Sequence, residues 1–329
     1  MKGKASNNLA LLALFVAVLL YLPGISRADP DADHGRWSEL IFFGDSLSDP
    51  GNAYLLTGQV STAPYEVIPD ASSPYDIGGH HFSNGPTWAE GLAQRLGRKD
   101  SGLPALRDPT RFGNFAFGGA RARFTGQASS AAEQVTMFLQ ARGYVADSDA
   151  LYVVQFGGND MRDALLAAAG GDLGTVFAIM SDAITATAVN IQRLYTAGAR
   201  DFLVANVANL GLAPVIVGLG LSAEASYLVS IYNGLLEGAL QGLDAAPGIE
   251  IQRLDLFGFI SGVVANPEAF DISNVTVPCL SFAVVEDAVC DDPGDYLFWD
   301  GIHPTRKGHK KLAQNAIRVL REEQEEFAD

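Results

Sequence analysis

Short apolar runs recur along the chain, separated by longer segments in which apolar residues return every three or four positions. The short runs predict buried strands at Leu40–Phe43, Asn114–Phe117, Ala150–Phe156, Asp201–Asn206 and Ile249–Leu254. The periodic segments predict helices at about Thr87–Leu96, Ala131–Arg142, Thr175–Ala197, Ala223–Leu243 and Thr305–Glu323. This alternation of strands and helices predicts an α/β fold with a mostly parallel sheet covered on both faces.

The first 28 residues have the pattern of a secretory signal peptide. Lys2 and Lys4 precede an uninterrupted apolar run, Leu9–Leu22, and the small residues Ser26 and Ala28 suit a signal peptidase that cleaves after Ala28. A membrane anchor is the alternative interpretation, but this run is shorter than the roughly 20 residues that span a bilayer. We therefore expect cleavage after Ala28, a single domain over residues 29–329, and a secreted or periplasmic protein.

Charge and cysteine content narrow the possible partners. The net charge is −16, and removal of residues 1–28 takes three basic residues and no acidic one, which leaves −19. This balance argues against nucleic acid or an anionic membrane surface as a partner held by charge, and we expect no stable membrane insertion after cleavage. The two cysteines, Cys279 and Cys290, are expected to form a disulfide rather than a metal site in an exported protein.

Glycine-containing turns with polar groups follow three of the predicted strands. They are "GDSLSDPGN" at 44–52, "FGGAR" at 117–121 and "FGGND" at 156–160. Ser46 in the first turn is either a solvated turn serine or a residue held for chemistry, and its own sequence window favours the turn. In parallel sheets, however, functional groups gather beyond the carboxyl ends of the strands, and all three turns lie there.

A fourth polar segment, "FWDGIHPTRKGH" at 298–309, precedes the last predicted helix. Pro304 disfavours helical geometry at His303, and proline is common in the first turn of a helix. The tetrad from Asp300 to His303 is therefore predicted to form a turn that brings its two ends within about 7 Å. Asp300 and His303 are either a catalytic acid and base or a surface ion pair.

Together these segments resemble the GDSL, or SGNH, hydrolase family. The resemblance runs through "GDSLSDPGN", "NFAFGGA" at 114–120, "GGND" at 157–160 and "DGIHP" at 300–304, in the order of the family. With "HHFSNGPTWAE" at 80–90 it is closest to the lipase, esterase and phospholipase branch. The resemblance implies a flavodoxin-like three-layer sandwich. Pro50 departs from the threonine or valine that many relatives carry there, which leaves the local loop conformation open.

The resemblance also implies the site residues. The nucleophile of the family falls on Ser46, its oxyanion glycine on Gly119, its oxyanion asparagine on Asn159, and its acid and base on Asp300 and His303. Gly119 is preferred to Gly118 because it lies five residues after Asn114. His303 would act as general base on Ser46, and water would release the acid from an acyl-enzyme. No cofactor and no metal are expected.

The implied activity is hydrolysis of acyl esters of lipids, lysophospholipids or simple alcohols. A carbohydrate O-deacetylase, an acyltransferase that uses the same site and a catalytically inactive binding protein are the alternatives. The apolar segment 209–222 is expected either to line an acyl pocket or to pack as core.

Several residues in the segment between the serine block and the first predicted helix have open roles. His80 and His81 suggest a metal site, but no second ligand group has suitable spacing, which favours a pair of loop residues. Tyr54, Tyr65 and Tyr75 either line an entrance to the site or order a long loop by packing.

Overall fold

Four parallel strands form the main sheet. A computed structural model describes residues 36–126 and 129–326, so the signal peptide expected at residues 1–28 lies outside the described residues. The strands are β1 (Leu40–Gly44), β2 (Leu151–Gln155), β3 (Asp201–Ala205) and β4 (Glu250–Leu254). They lie side by side in this order, each pair parallel and in register. All four are predicted from the sequence, with ends that differ by one residue at most.

The predicted strand at Asn114–Phe117 is wrong as a regular strand. The segment runs parallel to β1, and its Phe115 and Phe117 amides donate to the carbonyl groups of Phe42 and Gly44. The Asn114 side chain, however, accepts a hydrogen bond from the amide of Ala116 two residues later, which bends the backbone out of a continuous ladder. The segment is an irregular edge of the sheet.

Counting this edge segment as the second strand in chain order gives the spatial order 2-1-3-4-5. This is the order of flavodoxin-like doubly wound sheets, in which ligands bind where the strand order reverses. Here the strand order reverses between β1 and β2. Ser46 follows the end of β1, and Asn159 follows the end of β2. The topology therefore places the two turns at the same edge.

The described residues contain helices on both faces of the sheet. They are α1 (Asn52–Thr57), α2 (Trp88–Arg95), α3 (Ala131–Ala141), α4 (Gly158–Ala169), α5 (Leu173–Ala197), α6 (Pro214–Gly218), α7 (Ser222–Leu243), α8 (Leu256–Ala265) and α9 (Arg306–Glu326). The five predicted helices correspond to α2, α3, α5, α7 and α9. Helices α1 and α6 are too short to show a period, and α8 is almost entirely apolar, which hides its buried face.

The alternation of side chains along each strand divides the core into two layers. Ile41 and Phe43 of β1 pack with α3, α4, α5 and α7, whereas Leu40 and Phe42 pack with α2 and α9. Strands β1 and β2 are buried on both faces, which explains their nearly continuous apolar sequences. The result is a three-layer α/β/α sandwich.

A smaller pair of parallel strands lies beside the last helix. It consists of β5 (Asn274–Pro278) and β6 (Tyr296–Phe298). The disulfide between Cys279 and Cys290 closes the loop that joins them, as the sequence predicts. Because β6 ends two residues before Asp300, this pair of strands leads directly to the predicted acid.

Helix α5 is long and apolar enough to cross a membrane by length and composition. In the fold, however, it packs against α3, α4 and α7, and Val176, Met180 and Ile191 lie in the core. The apolar character of α5 is therefore that of a helix packed on a sheet.

Candidate active site

Ser46 lies in the tight turn that follows β1. The Asp45 carbonyl accepts the amides of Ser48 and Asp49, and the Asp45 carboxylate accepts the amide of Leu47 at 3.0 Å. A side chain at Gly44 would lie 3.0 Å from the Gln155 carbonyl oxygen on β2, so only glycine allows β1 and β2 to run this close before the turn. The turn leaves Ser46 and Leu47 half-buried, whereas Asp45 and Ser48 on either side are buried.

Asp300 and His303 form the turn that the sequence predicts before the last helix. One Asp300 carboxylate oxygen accepts the backbone amides of Ile302 (2.8 Å) and His303 (2.7 Å), and the Trp299 amide donates to the His303 carbonyl (2.8 Å). The other carboxylate oxygen lies 2.6 Å from His303 Nδ1. Both side chains are buried, so solvent competes little for these bonds.

The imidazole joins the two turns. His303 Nε2 lies 2.8 Å from Ser46 Oγ. Because an ionised carboxylate only accepts hydrogen bonds, the proton of the neutral ring is on Nδ1, and Nε2 accepts the hydroxyl proton of Ser46. The three side chains form a continuous line in which a carboxylate orients a base and the base contacts a hydroxyl.

Tyr75 is a fourth member of this line that the sequence did not identify. Its hydroxyl donates to the Asp300 carboxylate at 2.8 Å. Burial and the negative charge of Asp300 raise the pKa of Tyr75, which keeps the hydroxyl protonated as a donor. Tyr75 also packs edge-on against Trp299 and Tyr65. Of the two roles left open for the tyrosines, packing holds for Tyr65 and Tyr75, which are both buried.

A buried aspartate connects the Ser46 turn to the glycine turn after the edge segment. The Asp49 carboxylate accepts the amides of Gly51 and Asn52 on one oxygen and those of Ala53 and Gly118 on the other. Pro50 is buried within this turn, so the departure from the family pattern is accommodated by packing. The Gly118 amide therefore already has an acceptor, whereas the amide of the next residue, Gly119, has none among the described residues.

Gly119 presents its backbone to the site. Its φ of +69° is a conformation that a side chain rarely adopts, and an added Cβ would collide with Ala71. Its amide donates to no acceptor among the described residues, and the same holds for the amide of Ser46. Two unpaired N–H groups therefore border the site.

Asn159 supplies a third donor from the start of α4. One hydrogen of its side-chain amide bonds to the Ala120 carbonyl at 3.0 Å, which holds the group in place and leaves the second hydrogen without a partner among the described residues. Asn159 is in the first turn of the helix, where the helix dipole favours negative charge. The prediction placed this residue in a turn, and the structure places it just inside a helix.

One cavity of about 380 Å³ contains these groups. Ser46, Gly119, Asn159 and His303 all line it, so four of the five predicted site residues share the cavity, and Asp300 lies behind His303. A carbonyl carbon in reach of Ser46 Oγ would have its oxygen among N–H donors. The arrangement can therefore support nucleophilic attack and stabilise an oxyanion.

Part of the remaining wall of the cavity is apolar. The side chains that form this part include Leu210, Ala213, Leu256, Phe259, Ile260, Phe298 and Ile302. The sequence predicts that segment 209–222 either lines a pocket or packs as core, and each alternative holds for part of it. Leu210 and Ala213 line the cavity, whereas Ile216 is buried in a neighbouring apolar cluster. An acyl chain would find an apolar surface beside the hydroxyl.

Asp45 is the acidic group nearest to the chemistry apart from Asp300. It lines the cavity next to Ser46, and burial raises its pKa to about 6. The bond from the Leu47 amide and the proximity of His303 act in the opposite direction but are weaker than the loss of water. Sequence reasoning missed this group because its burial depends on the helices packed over it.

The histidine pair, His80 and His81, lies in the chain between Ser46 and Gly119. The His80 ring stacks on Tyr54 with centroids 3.6 Å apart, and His81 contacts the Gly78 carbonyl and the Glu90 carboxylate, the latter at 2.9 Å. These contacts are those of residues that order a loop. Within the described residues, no group of three or more His, Cys, Asp or Glu side chains could hold a metal ion.

Comparison with known proteins gives a consistent result. The family model described as GDSL-like Lipase/Acylhydrolase matches residues 40–316. Two proteins of Arabidopsis thaliana named GDSL esterase/lipase are 28% and 25% identical, covering 94% and 92% of this chain and 96% and 94% of theirs. An uncharacterized protein of Pseudomonas putida, from the trpE-trpG intergenic region, is 28% identical over 86% of this chain and 48% of its own.

Proposed function

Because the chain belongs to the GDSL-like lipase/acylhydrolase family and is thus a hydrolase of the lipase/esterase type, we propose that it is a secreted serine esterase acting through Ser46, His303 and Asp300. The observation that carries this proposal is the continuous contact from Asp300 through His303 to Ser46, at 2.6 and 2.8 Å, beside three unpaired donors. The substrates are small-molecule carboxylic esters.

The first half of the reaction forms an acyl-enzyme. His303 Nε2 takes the proton of Ser46 as Oγ attacks the ester carbonyl, because a neutral hydroxyl is a weak nucleophile. Asp300 stays ionised, holds the ring by Nδ1 and stabilises the imidazolium that forms. The same imidazolium then gives its proton to the departing alcohol, and Ser46 carries the acyl group.

Developing charge on the carbonyl oxygen would be met by the N–H groups of Ser46 and Gly119 and by the Asn159 amide. Each of these groups is already fixed in the free protein: the first by the β1 turn, the second by the glycine turn beside Asp49, the third by the Ala120 carbonyl. Donors that are held in place before the reaction need no rearrangement when the charge appears.

The second half of the reaction repeats the first with water in place of the hydroxyl. Once the alcohol leaves, His303 is neutral again and can accept a proton from water that attacks the acyl carbonyl. The acid is released and Ser46 regains its proton. An alcohol that outcompetes water would instead receive the acyl group, which is the acyltransferase alternative.

The apolar wall supports esters of medium or long acyl chains as substrates. If Leu210, Ala213 and Phe259 contact the chain, each added methylene improves binding by up to about 0.8 kcal/mol until the cavity is full. A series of 4-nitrophenyl esters from acetyl to palmitoyl measures this, and kcat/KM is expected to peak beyond butyryl. A steep preference for acetyl would contradict this substrate class and would favour the O-deacetylase, which an acetylated glycan then tests.

Titration with a fluorophosphonate tests whether the site is an active serine enzyme. The reagent needs an activated hydroxyl and an oxyanion site, and we expect one equivalent to bind at Ser46 with proportional loss of ester hydrolysis. Peptide mapping identifies the labelled residue. Failure to label the folded protein would favour the inactive binding protein.

Export is part of the proposal: a signal peptide over residues 1–28 followed by one hydrolase domain over residues 29–329. It is supported by the apolar run Leu9–Leu22 and by the disulfide Cys279–Cys290, which is typical of an oxidising compartment. N-terminal sequencing of the protein recovered outside the cytoplasm is expected to begin at Asp29.

A further inference from the structure

One arginine of α4 lines the cavity beside the proposed oxyanion site. Arg162 lies three residues after Asn159, and this spacing puts both side chains on the same face of the helix. Both line the cavity that contains Ser46, and Arg162 is half-buried. The side chain of Arg162 forms no hydrogen bond or ion pair with any residue in the described part of the chain.

The neighbouring arginines differ from Arg162 because each has a carboxylate partner. Arg121 bonds through two nitrogens to Asp163, at 2.6 and 2.9 Å. Arg123 contacts both Asp163 and the buried Asp160. Asp160 and Asp163 are therefore already paired with other arginines, and the Arg162 side chain is left without an ion-pair partner in the described part of the chain.

An unpaired guanidinium in a partly closed cavity is energetically unfavourable. Burial lowers the pKa of Arg162, and the positive charge of Arg121 lowers it further. Asp163 and Asp45 attract it through space, but neither comes within ion-pair distance. A charge that is withdrawn from water without a partner gains most from an anion supplied by a ligand.

The other charges of the cavity restrict where such an anion can bind. Glu66 and Asp70 also line the cavity, are exposed and belong to the loop before Ala71. The Asp70 carboxylate is occupied by the amide and hydroxyl of Ser72. Both carboxylates and that of Asp45 repel an anion, and Arg121, which also lines the cavity, is paired with Asp163. Among the described residues of the cavity, Arg162 is therefore the arginine available to attract an anion.

We propose that Arg162 binds an anionic group of the ester substrate, a phosphate or a carboxylate, and so makes the enzyme prefer charged esters over neutral ones. The planar guanidinium suits both groups because it can donate two parallel hydrogen bonds. The proposal rests on the proposed function, since it assigns the substrate class of the same site. Arg162 would contact the substrate without taking part in proton transfer.

Matched ester pairs test the preference and identify the anion. The first pair is 1-hexanoylglycerol 3-phosphate and 1-hexanoylglycerol, which differ by a phosphate on the alcohol. The second pair is mono-4-nitrophenyl glutarate and 4-nitrophenyl valerate, which differ by a carboxylate on the acyl chain. All are used below their micelle concentration, so that only the dissolved ester is compared.

The variants are Arg162→Gln, Arg162→Lys and a control, Arg111→Gln, which removes an exposed arginine paired with Asp100. We expect the wild type to prefer the charged member of one pair, and Arg162→Gln to lose about 10- to 100-fold in kcat/KM on that ester, mainly through KM. The neutral ester is expected to change less than about threefold. Arg162→Lys keeps the positive charge but loses the pair of parallel hydrogen bonds that the guanidinium can donate, so it should retain an intermediate preference for the charged ester. Arg111→Gln should resemble the wild type.

Binding measured without turnover separates this inference from the proposed function. Calorimetric titration of Ser46→Ala with hexyl phosphate or hexanoate detects the anion site even if the hydrolytic mechanism is wrong. We expect one saturable site in Ser46→Ala, weakened by salt and lost in Ser46→Ala with Arg162→Gln.

The proposal is overturned if neither anion binds to Ser46→Ala, or if binding is unchanged without Arg162. It is also overturned if the wild type favours the neutral member of both pairs, or if Arg162→Gln slows charged and neutral esters equally. Should Arg162→Gln fail to fold, the preference of the wild type and its intermediate value in Arg162→Lys decide the matter.

Discussion

At the scale of single residues, the contacts of Asp300 show how the site is held. Its carboxylate accepts two backbone amides, the Tyr75 hydroxyl and His303 Nδ1. The first two bonds could be predicted, because Asp300-Gly301-Ile302-His303 before Pro304 favours a turn. The bond from Tyr75 could not, because 225 positions separate the two residues and no local pattern marks the tyrosine.

Asn159 tests the oxyanion site. Asn159→Ala removes one N–H donor to the developing charge, and we expect kcat to fall by about 10²- to 10³-fold with little change in KM. The fold should persist, since the amide makes one hydrogen bond, to the Ala120 carbonyl. Asn315→Ala on α9, outside the cavity, is the control. Unchanged kcat in folded Asn159→Ala would remove this residue from the mechanism.

Asp45 tests the electrostatics of the serine turn. Burial raises the pKa of Asp45 from its ordinary value of 3.8 to about 6 in the folded protein. Between these two pH values the folded state holds a proton that the unfolded chain has already lost. The unfolding free energy of the wild type should therefore fall as pH rises from about 4 to about 7, by about 3 kcal/mol more than that of Asp45→Asn.

Urea unfolding of the wild type and Asp45→Asn at pH 4, 5, 6 and 7 measures the Asp45 effect. Buried acids that do not interact with Asp45 contribute equally to both proteins and cancel in the difference between the two pH profiles. Parallel profiles would show that Asp45 is ionised with an ordinary pKa despite its burial.

At the scale of secondary structure elements, the loop between β5 and β6 supports the turn of Asp300 and His303. The Cys279 and Leu280 amides donate to the carbonyl groups of Phe298 and Trp299, the two residues before Asp300. The disulfide closes this loop by joining Cys279 to Cys290, which are 11 positions apart in the sequence. The sequence could predict the bridge from two cysteines in a chain expected to be exported. It could not predict the parallel strands, because β5 is partly exposed and β6 has only three residues.

The double variant Cys279→Ala, Cys290→Ala tests this support. Closing a loop of this length should stabilise the fold by roughly 3 kcal/mol, and a domain of this size can fold without it. We expect a lower Tm and a loss of activity mainly in kcat, as the turn of Asp300 and His303 loosens. Thermal unfolding and steady-state kinetics measure both effects. An unchanged kcat alongside the lower Tm would show that the bridge stabilises the fold without positioning the acid and base.

The elements that sequence patterns missed share a physical cause. The edge segment at Asn114–Phe117 has the composition of a strand, but the Asn114 side chain bonds to the local backbone and bends it. Helix α4 begins within the glycines that predict a turn, and α8 lacks a polar face. In each case side-chain bonding or packing, and not the periodicity of the sequence, decides the local conformation.

At the scale of the whole molecule, the order of the strands explains why distant residues meet. The reversal between β1 and β2 opens a crevice at the carboxyl ends of the sheet, and Ser46 and Asn159 border it. His303 reaches the same crevice from the turn before α9, 257 positions after Ser46. The resemblance to the family could therefore indicate residues that meet at this crevice, whereas the charges that line its cavity, Arg162 among them, emerge only from the packed fold.

The central claim is that Ser46 is the nucleophile, and its replacement tests this most directly. Turnover of a 4-nitrophenyl ester is measured for the wild type, Ser46→Ala and the control Ser230→Ala, which removes an exposed serine on α7. We expect Ser46→Ala to fold normally and to lose about 10³-fold or more in kcat, because the covalent route is removed, while Ser230→Ala retains full activity. Near-normal kcat in correctly folded Ser46→Ala would contradict the mechanism.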